Sequence, residues 1–477
     1  MSGAAGGRGA SSPRSSGPSG VWKRAASLLV LFASFAAIER PGLAQAAGAV
    51  GTWAPAPATD TCAPPSPSCG PRDGHTATLL KNGKVLVAGG GDNTAALFDP
   101  RSGTWAPTGS MQGGYFLHTA TLLTDGRVLL VGSQGRPELY DPDKGTWTQT
   151  PPPANRYAQH TATLLKNGKV LVAGGLGEAR GIAAADVYDP GTNAWAPTGA
   201  MTQIRSQHSA AALADGRVLV AGGFSDAFGP KRTTTEIYDP QKGTWAPTAS
   251  LAASYSPIAA SMTSLADGRV LLAGGNSLPQ QEGGGLGGDS QAQVYDPGQG
   301  TWTPTRNLTA GRSKHTATLL ADGTVLVAGG TATVQLRDAP SPSPVTAELF
   351  HPDTGAWTPT APLGRPRVFH TAVLLAGPAS LCGTNCDKVL VVGGKTVSSK
   401  AEPLTPTSAE LYQGPPSPAS TAPAEPPGTD RPQEQSGPAS GSSSSLGWYV
   451  LGGAALAVVA ALVLLGLRRR GREPEAR

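Results

Sequence analysis

Six of the seven histidines in the chain fall at one recurring position: His75, His118, His160, His208, His315 and His370. Imidazoles brought together in this way could hold a metal ion or relay protons. An arginine stands three or four residues before five of them: Arg72, Arg156, Arg205, Arg312 and Arg367. The four cysteines form two tight pairs, Cys62/Cys69 and Cys382/Cys386, which could be disulfides or half of a zinc site. No Ser-His-Asp signature, phosphate-binding loop or paired-carboxylate motif accompanies them. What these residues do depends on the elements that carry them.

The histidines open a sentence repeated seven times. It reads His-Thr-Ala-Thr-Leu-Leu, then Asn-Gly or Asp-Gly, then Val-Leu-Val-Ala-Gly-Gly, then Tyr-Asp-Pro, then Gly-Thr-Trp. Copy five has Ser256-Pro257-Ile258 where the histidine motif is due. The tryptophans are Trp53, Trp105, Trp147, Trp195, Trp245, Trp302 and Trp357; the last copy has none of its own, and Trp53 stands alone at the other end. From Trp53 to Trp357 the period averages about 51 residues. The two apolar runs joined by Asn-Gly or Asp-Gly predict a tight hairpin, because both turn positions accept positive φ. A third strand ends at Tyr-Asp-Pro, since proline cannot donate to the ladder, and Gly-Thr-Trp begins a fourth. Four antiparallel strands every 50 residues or so, with no helical pattern between about 53 and 413, make a propeller blade.

Paired glycines, an aromatic and a tryptophan recurring in this order resemble the kelch motif. The wording is similar to that of bacterial exported and surface kelch proteins. The resemblance implies an all-β, seven-bladed kelch-type β-propeller over residues 47–413. The strand around Trp53 would be the outermost of the blade built from 370–412, closing the ring and removing its open edge. Such propellers include enzymes, the copper radical oxidases related to galactose oxidase among them. That chemistry needs a tyrosine cross-linked to a cysteine, and Tyr115, Tyr157 and Tyr255 have no cysteine near them in sequence.

In a propeller the six histidines form a ring around the channel, on innermost strands too far apart for two imidazoles to share one metal at ~2.1 Å each. The same residue in each blade therefore predicts a structural role, as it does for the arginines and the tryptophans. Cys62 and Cys69 lie in a connection on one face, Cys382 and Cys386 in a hairpin on the other, so two local disulfides are expected in an exported chain. Neither metal nor cofactor is expected. Function is sought instead in what does not repeat. The connection between the second and third strands lengthens in blades three to seven (176–186, 224–235, 276–293, 331–347 and 395–409). Phe224, Phe228, Lys231 and Arg232, with Arg180 and Arg337, are the candidate binding residues there, because rigid scaffolds recognise ligands through loops.

The ends address the ring to a membrane. Residues 1–46 carry basic residues before the apolar run Ala25–Ile38 and end in Ala44-Gln45-Ala46, as an export signal does. Residues 414–446 are a Pro/Ser-rich stalk. Residues 447–467 hold no charge and are long enough to span a ~30 Å bilayer as a single C-terminal transmembrane helix, with Arg468-Arg469-Arg470 opening a basic cytoplasmic tail, 468–477; the same apolar run and arginines equally fit a sorting signal that is removed. The formal charge of +5 is concentrated at these ends: without 1–46 and 468–477 there remain 27 basic and 29 acidic residues. A near-neutral ring argues against nucleic acid as a partner. The expectation is a non-catalytic module, outside the cytoplasm, that binds a protein or a glycan through its loop face. A sugar-active or radical-oxidase enzyme and a passive envelope component are the alternatives.

Overall fold

A computed structural model describes residues 51–56, 72, 74–132, 135–177, 181–224, 233–255, 257–277, 286–334, 346–395 and 409–415. They form seven four-stranded antiparallel sheets. Blade 1 is typical, with strands Thr76–Leu79, Val85–Ala88, Ala95–Asp99 and Thr104–Pro107. The second strand of each blade, Val85–Ala88 here and Val389–Val392 in blade 7, is an unbroken apolar run buried at each residue. It has neighbouring blades on both faces, so alternation would place a polar side chain in a core.

Blade 7 takes three strands from one end of the chain and one from the other. Thr371–Leu374, Val389–Val392 and Glu410–Gln413 are followed by Thr52–Pro55, with Trp53 opposite Tyr412 and Pro55 opposite Glu410. The innermost strands touch in a closed circuit, blade 7 against blades 6 and 1. The displaced tryptophan therefore closes the ring.

Apolar clusters lie between blades as well as within them. Val85, Val87, Phe98 and Trp105 of blade 1 pack against Leu390, Val392 and Leu411 of blade 7. Each tryptophan stacks on the aromatic of the adjacent third strand at a centroid distance of 5.0 Å, from Trp53 on Tyr412 to Trp357 on Phe350. Trp105 and Trp147 are buried, whereas Trp53, Trp195, Trp245, Trp302 and Trp357 are half-buried. The wedge between blades is thus wide enough at the rim to leave five indoles partly in solvent.

Two features depart from the repeat. The sequence predicts no helix between 53 and 413, yet the hairpin between the first two strands of blade 7 holds a helical turn, Ala379–Cys382, and a tighter turn, Gly383–Asn385. Cys382 and Cys386 are disulfide-bonded within it. This tongue reaches across the seam: Leu381 packs on Gly83, and Asn385 Nδ2 donates to the Pro100 carbonyl at 2.7 Å. On the other face, Asn276–Ser277, Leu286–Gly288 and Thr333–Val334 form a small extra sheet that ties blade 5 to blade 6. Among the described residues no helix is long and apolar enough to cross a membrane, and 447–467 lies outside them.

Candidate functional site

The histidine ring is spent on holding blades together. Nε2 of each ring shares a hydrogen bond with a hydroxyl on the innermost strand of the preceding blade: His75 with Thr371, His118 with Thr76, His160 with Thr119, His208 with Thr161, His315 with Ser261 and His370 with Thr316, at 2.8–3.1 Å. The first glycine of the pair makes room for it. A Cβ on Gly89, Gly174, Gly274, Gly329 or Gly393 would meet Cε1 of the next blade's histidine at 2.6–2.7 Å, and each of these glycines has φ between 61° and 69°. The two halves of the repeat therefore touch across blade boundaries. Blade 5 has Ala260, not the Ser256–Ile258 segment, at the histidine position; there Ser209 Oγ donates to the Ala260 carbonyl at 2.8 Å instead.

Burial holds these imidazoles neutral. It pushes His75, His160, His208 and His315 down to about 3 and His118 to about 4, with Arg72 and Arg205 adding to the effect at His75 and His208; His370 is pushed well below its ordinary value. Nδ1 of each is buried without a hydrogen bond of ordinary geometry, although backbone groups at Val392 and Arg72 modestly favour protonation of His75. With Nε2 engaged and the rings pinned to separate strands, they form no common site. Among the described residues no three His, Cys, Asp or Glu side chains could hold a metal ion.

Three residues before the histidine stands a buried group that latches the incoming linker to the third strand. In blade 4 Arg205 meets Glu236 at 3.1 Å, both almost fully enclosed, and donates to the Gly222 and Thr234 carbonyls. Arg312–Glu348 and Arg367–Glu410 repeat the pair in blades 6 and 7. Blade 1 lacks the carboxylate, having Ala96 there, and Arg72 pairs with Asp92 at 3.3 Å. Blades 2 and 3 use tyrosine: Tyr115 Oη donates to Glu138 at 2.8 Å and Tyr157 Oη to Asp186 at 2.7 Å. Burial, then the carboxylate, pushes both phenols up. The sequence expectation for Arg156 is corrected here. Tyr157 occupies the repeat position, and Arg156 is an exposed neighbour.

Arg156 instead lines a cleft of about 620 Å³ between blades 2 and 3, with Arg136, Asn155, Tyr157 and the prolines Pro137, Pro152 and Pro153. It lies on the face that carries the lengthened connections. Blade 2 has the short connection, which leaves this space open.

A second feature of that face was hidden in the repeat. The residue just before each histidine position is Gly74, Leu117, Gln159, Gln207, Ala259, Lys314 or Phe369, and all seven have positive φ, the six non-glycines between 50° and 55°. Their backbones join across blades: Gly74 N–H donates to Phe369, Leu117 to Gly74, Gln207 to Gln159, Ala259 to Gln207 and Lys314 to Ala259. Five of the seven steps around the axis are bonded in this way, and side chains of neighbouring members meet. Gln207 Nε2 donates to Gln159 Oε1 at 3.0 Å, and Lys314 Nζ lies 4.4 Å from the Phe369 ring centroid, with Lys395 Nζ at 5.2 Å from the same ring. These side chains vary at a position whose backbone does not. The signal was in the sequence, as the one variable residue beside an invariant-looking His.

Of the candidate binding residues, Phe224 is described. It is half-buried and pairs with Ser206 through two backbone hydrogen bonds of 2.9 Å, an isolated antiparallel bridge just beyond the Gly222-Gly223 pair. Arg180, Phe228, Lys231, Arg232 and Arg337, like Cys62 and Cys69, lie outside the described residues.

Known proteins add to this geometry. The family model of the Kelch motif matches residues 205–252, which run from the Arg205 latch through the fourth strand of blade 4. No curated protein matches the chain. Among solved structures, a fungal alcohol oxidase of the AA5 family in complex with copper is similar, with a TM-score of 0.61, 20% identity and 77% of each chain covered. The motif in blade 4, set in a closed ring of seven such blades, supports a kelch-type propeller.

Proposed function

We propose that the chain is a non-catalytic recognition module that binds its ligand on the face bearing the long connections. One observation carries this reading: the recurring titratable groups are consumed in holding blades together, while the variable positions gather on one face. There the cleft beside Arg136 and Arg156, the axial hoop and the small sheet between blades 5 and 6 lie over a rigid scaffold. The likeness to a copper oxidase carries the fold alone at 20% identity, and among the described residues no three His, Cys, Asp or Glu side chains gather to hold a metal ion. The apolar run and basic residues of 1–46, with the uncharged 447–467 before three arginines, support an exported ring held to a membrane by its C-terminal segment.

The test is hydrogen exchange on the full chain, with and without ligands captured from glycan arrays and from extracellular protein fractions. Protection should fall at 152–157, 206–208 and 314–315. Protection confined to the hairpin face, at 81–84, 124–127 and 379–388, would refute the reading, as would turnover of an alcohol by the copper-loaded chain.

A further inference from the structure

The cleft between blades 2 and 3 exists because several departures from the repeat coincide there. Seven residues before the histidine, four other linkers carry an enclosed apolar side chain: Met111, Met201, Leu308 and Leu363. Three of them also donate their N–H to the neighbouring connection, Met111 to Asn93, Met201 to Ala183 and Leu308 to Ser290, at 2.8–2.9 Å. Pro153 takes that place in blade 3. It has no N–H to donate, its side chain is shorter, and it stays half-buried. The connection of blade 2 is also a short one, and a space of about 620 Å³ is left. That volume falls in the range of roughly 300–1,000 Å³ typical of small-molecule sites.

Two arginines line this space from different segments. Arg136 belongs to the connection of blade 2, and Arg156 to the linker into blade 3. Both are exposed, and among the described residues neither makes an ion pair. The frame has no use for either guanidinium. The latch position of blade 3 belongs to Tyr157, which holds Asp186 at 2.7 Å together with Asn155 at 3.3 Å. Asp186 is fully enclosed and lines no part of the cleft, and no other carboxylate lines it. A cleft of about 580 Å³ between blades 5 and 6 shows the contrast: Asp296 and Asp353 line it together with Arg269 and Arg306, so both signs of charge are present.

Two guanidiniums without acids, along a wall of proline rings, suit a ligand with an anion at each end and an apolar middle. Each guanidinium presents a planar fork of N–H donors that matches a carboxylate. The prolines offer C–H surface and no N–H of their own. We propose that this cleft binds a small dicarboxylate, with one carboxylate on Arg136, the other on Arg156, and the carbon chain against Pro152 and Pro153. The proposal rests on the recognition reading above and deepens it, naming a ligand class for one site on the same face.

The experiment is calorimetric titration of the full chain with succinate, glutarate and adipate, whose lengths bracket the separation of the two charges, and with acetate, succinamate and inorganic sulfate. The best dicarboxylate should bind about tenfold more tightly than acetate or a monoamide, as one lost charge-assisted contact implies. Arg136→Gln and Arg156→Gln should each weaken it about tenfold. Arg156→Lys, which keeps the charge and loses the fork, should fall between Arg156→Gln and the parent. Pro153→Met restores the side chain of the other linkers, fills the cleft and leaves every charge in place, and it too should weaken binding about tenfold. Melting temperatures within a few degrees of the parent would show that the ring still folds in each variant, as expected for exposed arginines. Equal affinity for the dicarboxylate and its monoamide would overturn the site, and so would unchanged binding by either Arg→Gln variant or by Pro153→Met. Sulfate binding as tightly as the dicarboxylate would refute the assignment, leaving an unselective oxyanion contact. An acidic peptide that displaced the dicarboxylate with much higher affinity would likewise refute a small-molecule site. If no dicarboxylate binds while a captured ligand protects 206–208 and 314–315, this proposal falls and the recognition reading stands.

Discussion

Acid should dismantle this ring well before ordinary acid denaturation. In the unfolded chain histidine titrates near 6.5, whereas burial places His75, His160, His208 and His315 near 3, His118 near 4 and His370 well below the ordinary value. Below pH 6.5 the unfolded state binds protons that the folded state refuses. Stability is therefore complete above 6.5 and falls as the pH falls, until the folded values are reached. Between pH 7.5 and 5.5 each ring loses ~1.4 kcal/mol, and the figure depends on the unfolded value alone so long as the folded one stays below about 4.5. Six rings bring the loss to roughly 8 kcal/mol, comparable with the whole ~5–15 kcal/mol that holds a typical domain folded. Carboxylates at ordinary values titrate near pH 4, so the window isolates the histidines. Urea unfolding of the full chain at pH 7.5, 6.5 and 5.5, followed by tryptophan fluorescence, would measure the slope. His208→Asn should lower stability at pH 7.5 and reduce the pH slope by about one proton. A loss under ~2 kcal/mol between pH 7.5 and 5.5 would mean the rings can be protonated in place, and the interblade hydrogen bonds at Nε2 could not be the buried, neutral contacts described.

Other perturbations test the frame. Deleting 47–58 removes the strand paired to Glu410–Gln413 and the indole whose Nε1 donates to Ala361 at 2.8 Å; a loss of at least ~4 kcal/mol is expected, and a melting temperature within a few degrees of the intact chain would show that the ring closes without it. Trp147→Ala should cost ~3–5 kcal/mol and Trp195→Ala ~2–3 kcal/mol, because the first is buried and the second half-buried; equal losses in denaturant titrations would contradict the difference in burial. Arg205→Ala strands the enclosed Glu236 carboxylate and should cost ~3–5 kcal/mol, whereas Arg205→Met with Glu236→Leu should restore most of it, as a double-mutant cycle would report.

The blade order was legible because each local signal served one local need. Asn-Gly makes the hairpin, Tyr-Asp-Pro ends the third strand, and an unpaired Trp53 needs a partner that only Tyr412 lacked. Contacts that cross a blade boundary were not legible in the same way. Nothing in the string links Gly89 to His118 or Thr76 to His118, yet the glycine pair exists so that the next imidazole can approach. The same blindness put Arg156 in a position that belongs to Tyr157. Spacing within one or two residues could not separate them, whereas a carboxylate at Asp186 that needs a buried donor does. The tongue stapled by Cys382 and Cys386 was legible as a disulfide but not as a clasp, since its target, Pro100, lies 285 residues away in sequence, in the blade across the seam. The candidate site followed this rule in reverse. The loops were chosen because they vary in length, which is visible in a string. The axial hoop varies only in side chain, at a position followed by His in six of seven blades, and the repeat masked it. Lys314 and Phe369 come together from equivalent positions of neighbouring blades, both of positive φ. The fold therefore explains its repeats, and the residues it has no structural use for are those to test for a ligand.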